Sequence, residues 1–286
     1  MARNNGIKAT SGAARTTKEI FVYLLLIIWA LIDLFPVYWM LTFSLKTNKE
    51  VLGGNPIGLP LDPKWGNYKA ALSVDGIVRY FFNSVGITVI TVIIVMIIAL
   101  MATYALTRFF WKLRGVVNAF FMLGLTIPIH SALVPIYKMF LKVQLIDTPF
   151  ALIVPYAAFS LAMAILICTG FMEEIPFELD EAACIDGCGA WKIFFKVIVP
   201  LMKPAVATVS IYTLLQCWNE FMFASIFVNS KWATLPVGVK QLVGRTNTDL
   251  GKIGAALVLA TFPMLIFYVI FSKKIQDSFI AGAVKG

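Results

Sequence analysis

The sequence predicts an all-α, polytopic membrane protein with six transmembrane helices, and three observations carry that reading. Of the 286 residues 60% are hydrophobic and only 14% are charged, where a soluble domain carries about a quarter charged. The apolar residues gather into runs of the length that crosses the hydrocarbon core, about 20 residues each. The stretches between those runs are polar or rich in Gly and Pro, as connections at a membrane surface are. The net charge of +9 is spread over these connections, with no basic run or interleaved aromatic patch. That argues against nucleic acid and fits lysines and arginines beside lipid headgroups.

Residues 1–19, MARNNGIKATSGAARTTKE, form a polar, basic tail. The run from Ile20 to about Phe43 is too long for the core of a cleaved signal peptide and has no small-residue cleavage site, so it reads as an uncleaved first span. Further spans follow at about 82–107, 116–137, 149–171, 204–228 and 253–272. Pro128 and Pro135 interrupt the third, whose end is expected to kink or to pass into a short interfacial helix. No internal repeat is visible, which speaks against an inverted-repeat carrier. Arg108, Lys112 and Arg114 occupy a short loop, where positive charge weighs most on orientation, and they place that loop in the cytoplasm. Both termini are then cytoplasmic, with Lys273 and Lys274 in agreement. The segment at about 172–203 is cytoplasmic too. The loops at about 46–80, with GGNPIGLP, Trp65, Asn67 and Tyr68, and at about 229–252, with LPVGV, face outside.

The cytoplasmic segment FMEEIPFELDEAACIDGCGAWKIFFKVIVPLMKPA concentrates Glu173, Glu174, Glu178, Asp180, Glu181 and Asp186 in a chain with only 15 acids. Pro176 suits a helix start, because its missing N–H would be unpaired there anyway. Glu178, Asp180 and Glu181 favour the positive end of the helix dipole. Ala182 and Ala183 are strong helix formers whose small side chains let another protein come close. Gly187 and Gly189 end the helix, and Pro200 marks the entry to the fifth span. Charge alone would suit an ordinary solvated loop, but the order of elements is more specific and fits docking of a helix into a groove. Cys184 and Cys188 sit one turn apart. With His130 the single histidine and no second cysteine pair, a reduced helix is expected and no metal site.

EAACIDG, followed after nine intervening residues by VIVP, resembles the Glu-Ala-Ala motif of permease subunits of bacterial ATP-binding-cassette importers. Glu181, Ala182, Ala183, Gly187 and Pro200 match it, and Val197 and Val199 stand at its two aliphatic positions. The resemblance covers most of the chain. FFNSVGITVITVI, IPIHSALVPIYKMFLKVQLIDTPFALIVPYAAF, WNEFMFA, TLPVGV and FIAGAVKG are similar to the carbohydrate-importer branch, and to the smaller permease of maltose-type systems. His130 stands where many relatives have another residue.

The resemblance implies a type I importer permease: one transmembrane domain over 20–286 with a coupling loop at about 172–203, in the bacterial cell membrane. It implies a second and different permease, two copies of a cytoplasmic ABC ATPase that hold ATP and Mg, and an extracytoplasmic sugar-binding protein. Glu181, Ala182, Ala183, Asp186, Gly187 and Pro200 are then the ATPase-coupling residues. Leu235, Pro236, Val237 and Gly238 are the contact with the binding protein, where the residues themselves read only as a turn. No GxxxxGK[ST] phosphate loop occurs in this chain, so no cofactor is expected on it and ATP chemistry must come from a partner.

Ionisable residues inside spans are costly and are functional suspects by default. Asp33 and Glu220 qualify, and Asn83, Trp218 and Asn219 add polar groups and a ring face of the kind a hydroxyl-rich solute needs. A structural hydrogen bond between helices is the competing reading for each, and in maltose-type systems the larger partner supplies most sugar contacts. Two other functions compete. An ion- or proton-coupled secondary carrier would relay through Asp33 or Glu220 and has no need of the Glu-Ala-Ala order. An importer permease for a non-sugar solute would keep that order. A membrane-embedded enzyme finds no support, with one histidine, no paired metal ligands and no nucleophile beside a base.

Overall fold

The computed structural model describes residues 12–73, 76–243 and 249–283, with side chains between 19 and 271. Arg3, Lys8 and the closing residues 284–286 lie outside the described residues, and of Arg15, Lys18, Lys273 and Lys274 only the backbone is described.

Every regular element among the described residues is helical. The long helix α1 (Gly12–Ser44) is followed by two short ones, α2 (Asn48–Leu52) and α3 (Gly66–Leu72), in the expected outer loop. Then come α4 (Ile77–Arg108), α5 (Arg114–Gly124), a 3-10 turn at Ile129–Ala132, α6 (Leu133–Lys142) and α7 (Phe150–Glu173). The acidic segment forms α8 (Glu178–Ile185), and α9 (Ala190–Ile193) runs through a π-helical stretch at Phe194–Ile198 into α10 (Val199–Leu201). The chain closes with α11 (Lys203–Trp218), α12 (Met222–Phe227), α13 (Leu235–Val243) and α14 (Leu250–Ala283).

Among the described residues four helical segments are long and apolar enough to cross a membrane: Glu19–Ser44, Ile77–Arg108, Phe150–Glu173 and Leu250–Phe271. Two bent pairs raise the number to as many as six if each is one span. In the first, Arg114–Gly124 meets Ile129–Lys142 at 94°. The expected kink therefore lies just before Pro128, while Pro135 sits inside the first turn of α6, where a missing N–H costs nothing. In the second, Ala190–Leu201 meets Lys203–Trp218 at 74°. Pro200 has no N–H to give the carbonyl of Lys196, and the ladder loosens so that Val199 donates to Phe194, five residues back.

Two sequence expectations need correction. The fifth span is not continuous to residue 228, because helix stops at Trp218 and restarts at Met222. LPVGV is not a turn but the opening of α13.

The described residues pack into two compact units, one lying within 1–71 and 249–258, the other within 72–248 and 259–286. In the first, α1 is exposed along most of its length, Asp33 included, and is buried only at its end, at Thr42, Phe43 and Ser44. There α14 begins with two close approaches. A Cβ on Gly254 would lie 2.5 Å from Phe43 Cδ1, and one on Gly251 would lie 2.2 Å from the Lys46 carbonyl oxygen, so only glycine fits. The Asn67 amide donates to the carbonyls of Ser44 and Lys46 at 2.8 and 3.1 Å. The fully buried Lys46 donates to the Asn55 carbonyl at 2.7 Å.

In the second unit α4, α7 and α11 pack on one another most extensively. Ala151, Ala157, Ala162, Ala164 and Cys168 of α7 are buried. Small residues on that helix let its backbone approach its neighbours, which matters where lipid supplies no hydrophobic drive. Tyr80, Leu152, Trp218, Phe223 and Phe227 form one apolar cluster. Val95, Ala99, Met172, Ile198 and Val209 form another, and Ala183 of α8 belongs to it.

Candidate functional site

The coupling segment is built on α8. Its first turn carries Glu178, Asp180 and Glu181, as the dipole favours. Its end is a Schellman closure: Cys188 N–H donates to the Ala183 carbonyl at 2.9 Å and Gly187 N–H to Cys184 at 3.0 Å. This requires a left-handed residue, and Gly187 has φ of +76°. Ala183 is buried against the body, whereas Glu178, Glu181, Ala182, Ile185 and Asp186 are exposed. Ile185 is 87% exposed. Glu178, Glu181, Ala182 and Ile185 recur at helical spacing, so one face carries two acids, a small residue and a bare aliphatic side chain. Pro200 is exposed at the bend into α11 and stands apart from this face.

Beneath α8 lies a contact that the residues do not announce. Arg108, the last residue of α4, reaches Asp180 with Nε 3.2 Å from Oδ2, both side chains largely buried. The contact is an ion pair whose N–H direction falls short of a hydrogen bond. The guanidinium's own hydrogen bonds go to the carbonyls of Met172 at 3.3 Å and Ile175 at 2.7 Å. The Ile175 carbonyl lies just past the end of α7, and the Met172 carbonyl, in its last turn, also takes the Ile175 N–H at 3.2 Å. The guanidinium carbon sits 5.0 Å from the Phe177 ring centre. Burial pushes the Asp180 carboxyl above the ordinary carboxylate range, and the Arg108 charge pulls it back.

The four candidate pathway residues are mostly engaged in holding the fold. Asn83 donates to the carbonyls of Lys231 and Ala233, both at 3.0 Å. Trp218 is buried, donates to the Ala260 carbonyl at 3.2 Å and meets Phe81 edge-on at 6.0 Å. Asn219 is exposed, with its amide on the Leu215 carbonyl at 3.0 Å. Glu220 lies in the break between α11 and α12. Its carboxylate accepts from Phe223 N–H at 2.8 Å and Ala224 N–H at 3.2 Å and receives the Tyr156 hydroxyl. Trp218, Asn219 and Glu220 thus share the break, while Asn83 belongs to the support of α13.

In α13, Leu235, Val237 and Gly238 are buried, Pro236 is half-buried, and Lys240, Gln241 and Val243 are exposed. Leu235 N–H donates to the Ser84 hydroxyl at 2.8 Å. A Cβ on Gly238 would come within 2.3 Å of the Tyr80 ring. The break and α13 groups adjoin, since Trp218, Phe223, Leu235 and Val237 share one buried cluster and Lys240 Nζ lies 4.8 Å from the Phe221 ring centre, whereas Ala183 of the coupling group belongs to the other cluster. Among the described residues no group of three or more His, Cys, Asp and Glu gathers as metal ligands would. His130 sits exposed in the 3-10 turn, its ring 6.4 Å from that of Phe223.

Residues 94–280 match the family described as binding-protein-dependent transport system inner membrane component. The chain is 42% identical to a putative ABC transporter permease protein of Caldicellulosiruptor sp., over 95% of this chain and 98% of the relative. It is 35% identical to the sulfoquinovosyl glycerol transport system permease protein of Agrobacterium fabrum, over 88% of this chain and 89% of the relative. Among solved structures, a chain of a bacterial ABC transporter involved in the import of the acidic polysaccharide alginate superposes with a TM-score of 0.82. It shares 24% identity over 92% of this chain and 98% of that one.

Proposed function

The chain belongs to the family of binding-protein-dependent transport system inner membrane components, and from that premise we propose how it works. It is a permease subunit of an ATP-driven sugar or oligosaccharide importer and forms half of the translocation pathway. Each bent helix pair counts as one span, giving six, and the domain runs over 20–286 with both termini cytoplasmic. A second, different permease completes the pathway. Two copies of a cytoplasmic ATPase hold ATP and Mg, and an extracytoplasmic binding protein delivers the solute. The sugar assignment is supported by the relative that transports sulfoquinovosyl glycerol and by the carbohydrate-branch motifs in the sequence.

The observation that carries the reading is the form of residues 181–187. The Glu-Ala-Ala sequence folds as a short helix closed by left-handed Gly187, and its outer face is bare around Ile185. An apolar residue exposed on an acidic helix between membrane segments fits a groove on a soluble partner. In this reading Glu181, Ala182, Asp186 and Gly187 meet the ATPase, Ala183 seats the helix on the body, and Pro200 sets the bend beyond it. ATP-driven closure of the ATPase pair then moves α8 and switches access to the pathway. On the opposite face α13 meets the binding protein through Pro236 and its exposed residues, with Leu235, Val237 and Gly238 fixing its seat.

Tagged chain, solubilised gently from its own membranes, tests this. A second permease and an ATPase are expected to co-purify. A chain that comes alone and transports in vesicles under a proton gradient overturns the reading.

A further inference from the structure

Arg108 holds three parts of the chain with one side chain. Its backbone closes α4, its hydrogen bonds take the carbonyls of Met172 and Ile175 where α7 ends, and its Nε faces Asp180 on α8 at 3.2 Å. Phe177, in the turn between α7 and α8, lies against the same guanidinium at 5.0 Å. A planar, permanently charged fork is the side chain able to make these contacts together, since lysine has neither the fork nor the flat face. The ion pair is largely buried, with side-chain exposures of 7% and 11%. Buried pairs contribute little to net stability, because desolvation offsets attraction, and their best attested use is to fix register.

We infer that Arg108 and Asp180 are positioning residues that transmit movement of α8 to the cytoplasmic ends of α4 and α7 together. The inference rests on the assignment of α8 as the helix that meets the ATPase. Without the pair, α8 stays joined to α7 through residues 174–177 and α4 stays bonded to the end of α7 through Arg108, but the ion pair that carries movement of α8 straight to the end of α4 is lost. With it, the ends of α4 and α7, the most extensively packed helices of the unit, are displaced as one piece. Two faces of α8 are then in use, Ile185 outward to the partner and Asp180 inward to the spans.

The test uses the complex as it purifies from its own membranes. Cys184 and Cys188 are replaced by Ser, and an environment-sensitive fluorophore is placed by Ile97→Cys on the exposed side of α4. MgATP with vanadate is the probe, since it arrests an ATPase pair closed. Asp180→Asn removes the charge but keeps the shape and leaves Arg108 its two carbonyl partners, so the fold is expected to persist. The ATPase should co-purify with this variant in wild-type amount and hydrolyse ATP, while the vanadate-driven fluorescence change on α4 drops roughly tenfold. Asp180→Glu should restore it. A full-sized change in both Asp180→Asn and Arg108→Gln overturns the inference. Loss of the ATPase from Asp180→Asn also overturns it, by making Asp180 part of the docking surface. A wild-type complex that lacks an ATPase defeats the underlying functional reading instead, so the two failures are told apart.

Discussion

The side-chain amide of Asn83 donates to the carbonyl of Ala233 at 3.0 Å, joining positions 150 residues apart in the chain. It donates equally to Lys231, and the neighbouring Ser84 hydroxyl receives Leu235 N–H. Two consecutive polar residues of α4 therefore set where α13 begins. Asn83→Ala should lower stability by about 1 kcal/mol for the hydrogen bonds lost, and should weaken stimulation of ATP hydrolysis by the binding protein. Asn83→Asp should do the same, because a carboxylate has no proton to give these carbonyls. Thermal unfolding in detergent and stimulated hydrolysis of the complex check both. Unchanged stimulation with a lowered unfolding temperature would confine Asn83 to the fold.

Gly238 is expected to tolerate nothing larger. A methyl group there meets the Tyr80 ring at 2.3 Å, and overpacking of this kind costs about 1–3 kcal/mol. Gly238→Ala should lower the unfolding temperature, and Tyr80→Leu in the same chain should recover part of the loss. An unfolding temperature for Gly238→Ala equal to that of wild type would mean α13 sits more loosely on α4 than the contact indicates.

Composition made the long helices legible. Nothing but a span accounts for the apolar runs that became α1, α4, α7 and α14, and proline placed the bend before α6. The break after Trp218 was hidden because NEFMFA is nearly as apolar as the helix around it. What restarts the helix as α12 is the Glu220 carboxylate reaching forward to the amides of Phe223 and Ala224 in its first turn, and that placement depends on Tyr156 being across the way. LPVGV misled for the opposite reason. Pro and Gly read as a turn, yet proline is tolerated in a first helical turn, and glycine is required here by Tyr80. The Glu-Ala-Ala helix was legible because its order is local. Arg108 with Asp180 was not, since the sequence holds them far apart and only the packing of α4 on α7 brings them together.

Gly187 offers a conformational test of the coupling helix. Nothing lies within 4 Å of a Cβ built there, so the demand is its φ of +76° alone. Gly187→Asn should be nearly neutral, because asparagine visits the left-handed region, whereas Gly187→Val should fray the Schellman closure at a cost of about 1–2 kcal/mol. ATPase co-purification is expected to follow that order. Equal loss in both variants would point to a contact made by Gly187 itself.

Acidification should act through Asp180. Burial raises its carboxyl above the ordinary range while Arg108 opposes the rise. A raised folded-state value means that this group favours the folded chain below its unfolded value, and that the advantage disappears as pH climbs past the folded one. The ion pair has the reverse dependence and exists only above the folded value. Coupling of hydrolysis to movement of α4 is therefore expected to fall on acidification at a higher pH than an ordinary aspartate, near 4, would give. Asp180→Asn should flatten that part of the profile, and a profile unchanged in the variant would assign the acid step to another group.

Glu220 separates the importer from a proton-coupled carrier. Its carboxylate is committed to the amides of Phe223 and Ala224 and to the Tyr156 hydroxyl, so it caps the start of α12 where a relay would need a free acid. Glu220→Gln keeps one acceptor oxygen but turns an amide group toward donors, leaving at least one of the three unpaired. That should destabilise the protein by about 1–3 kcal/mol, while the folded fraction keeps ATP-dependent solute accumulation in vesicles. A relay makes the opposite demand. Glu220→Gln would then leave stability nearly intact and abolish accumulation driven by a proton gradient, with ATP irrelevant. Measuring unfolding temperature and both driving forces on the same preparation places Glu220 in the framework or in the pathway.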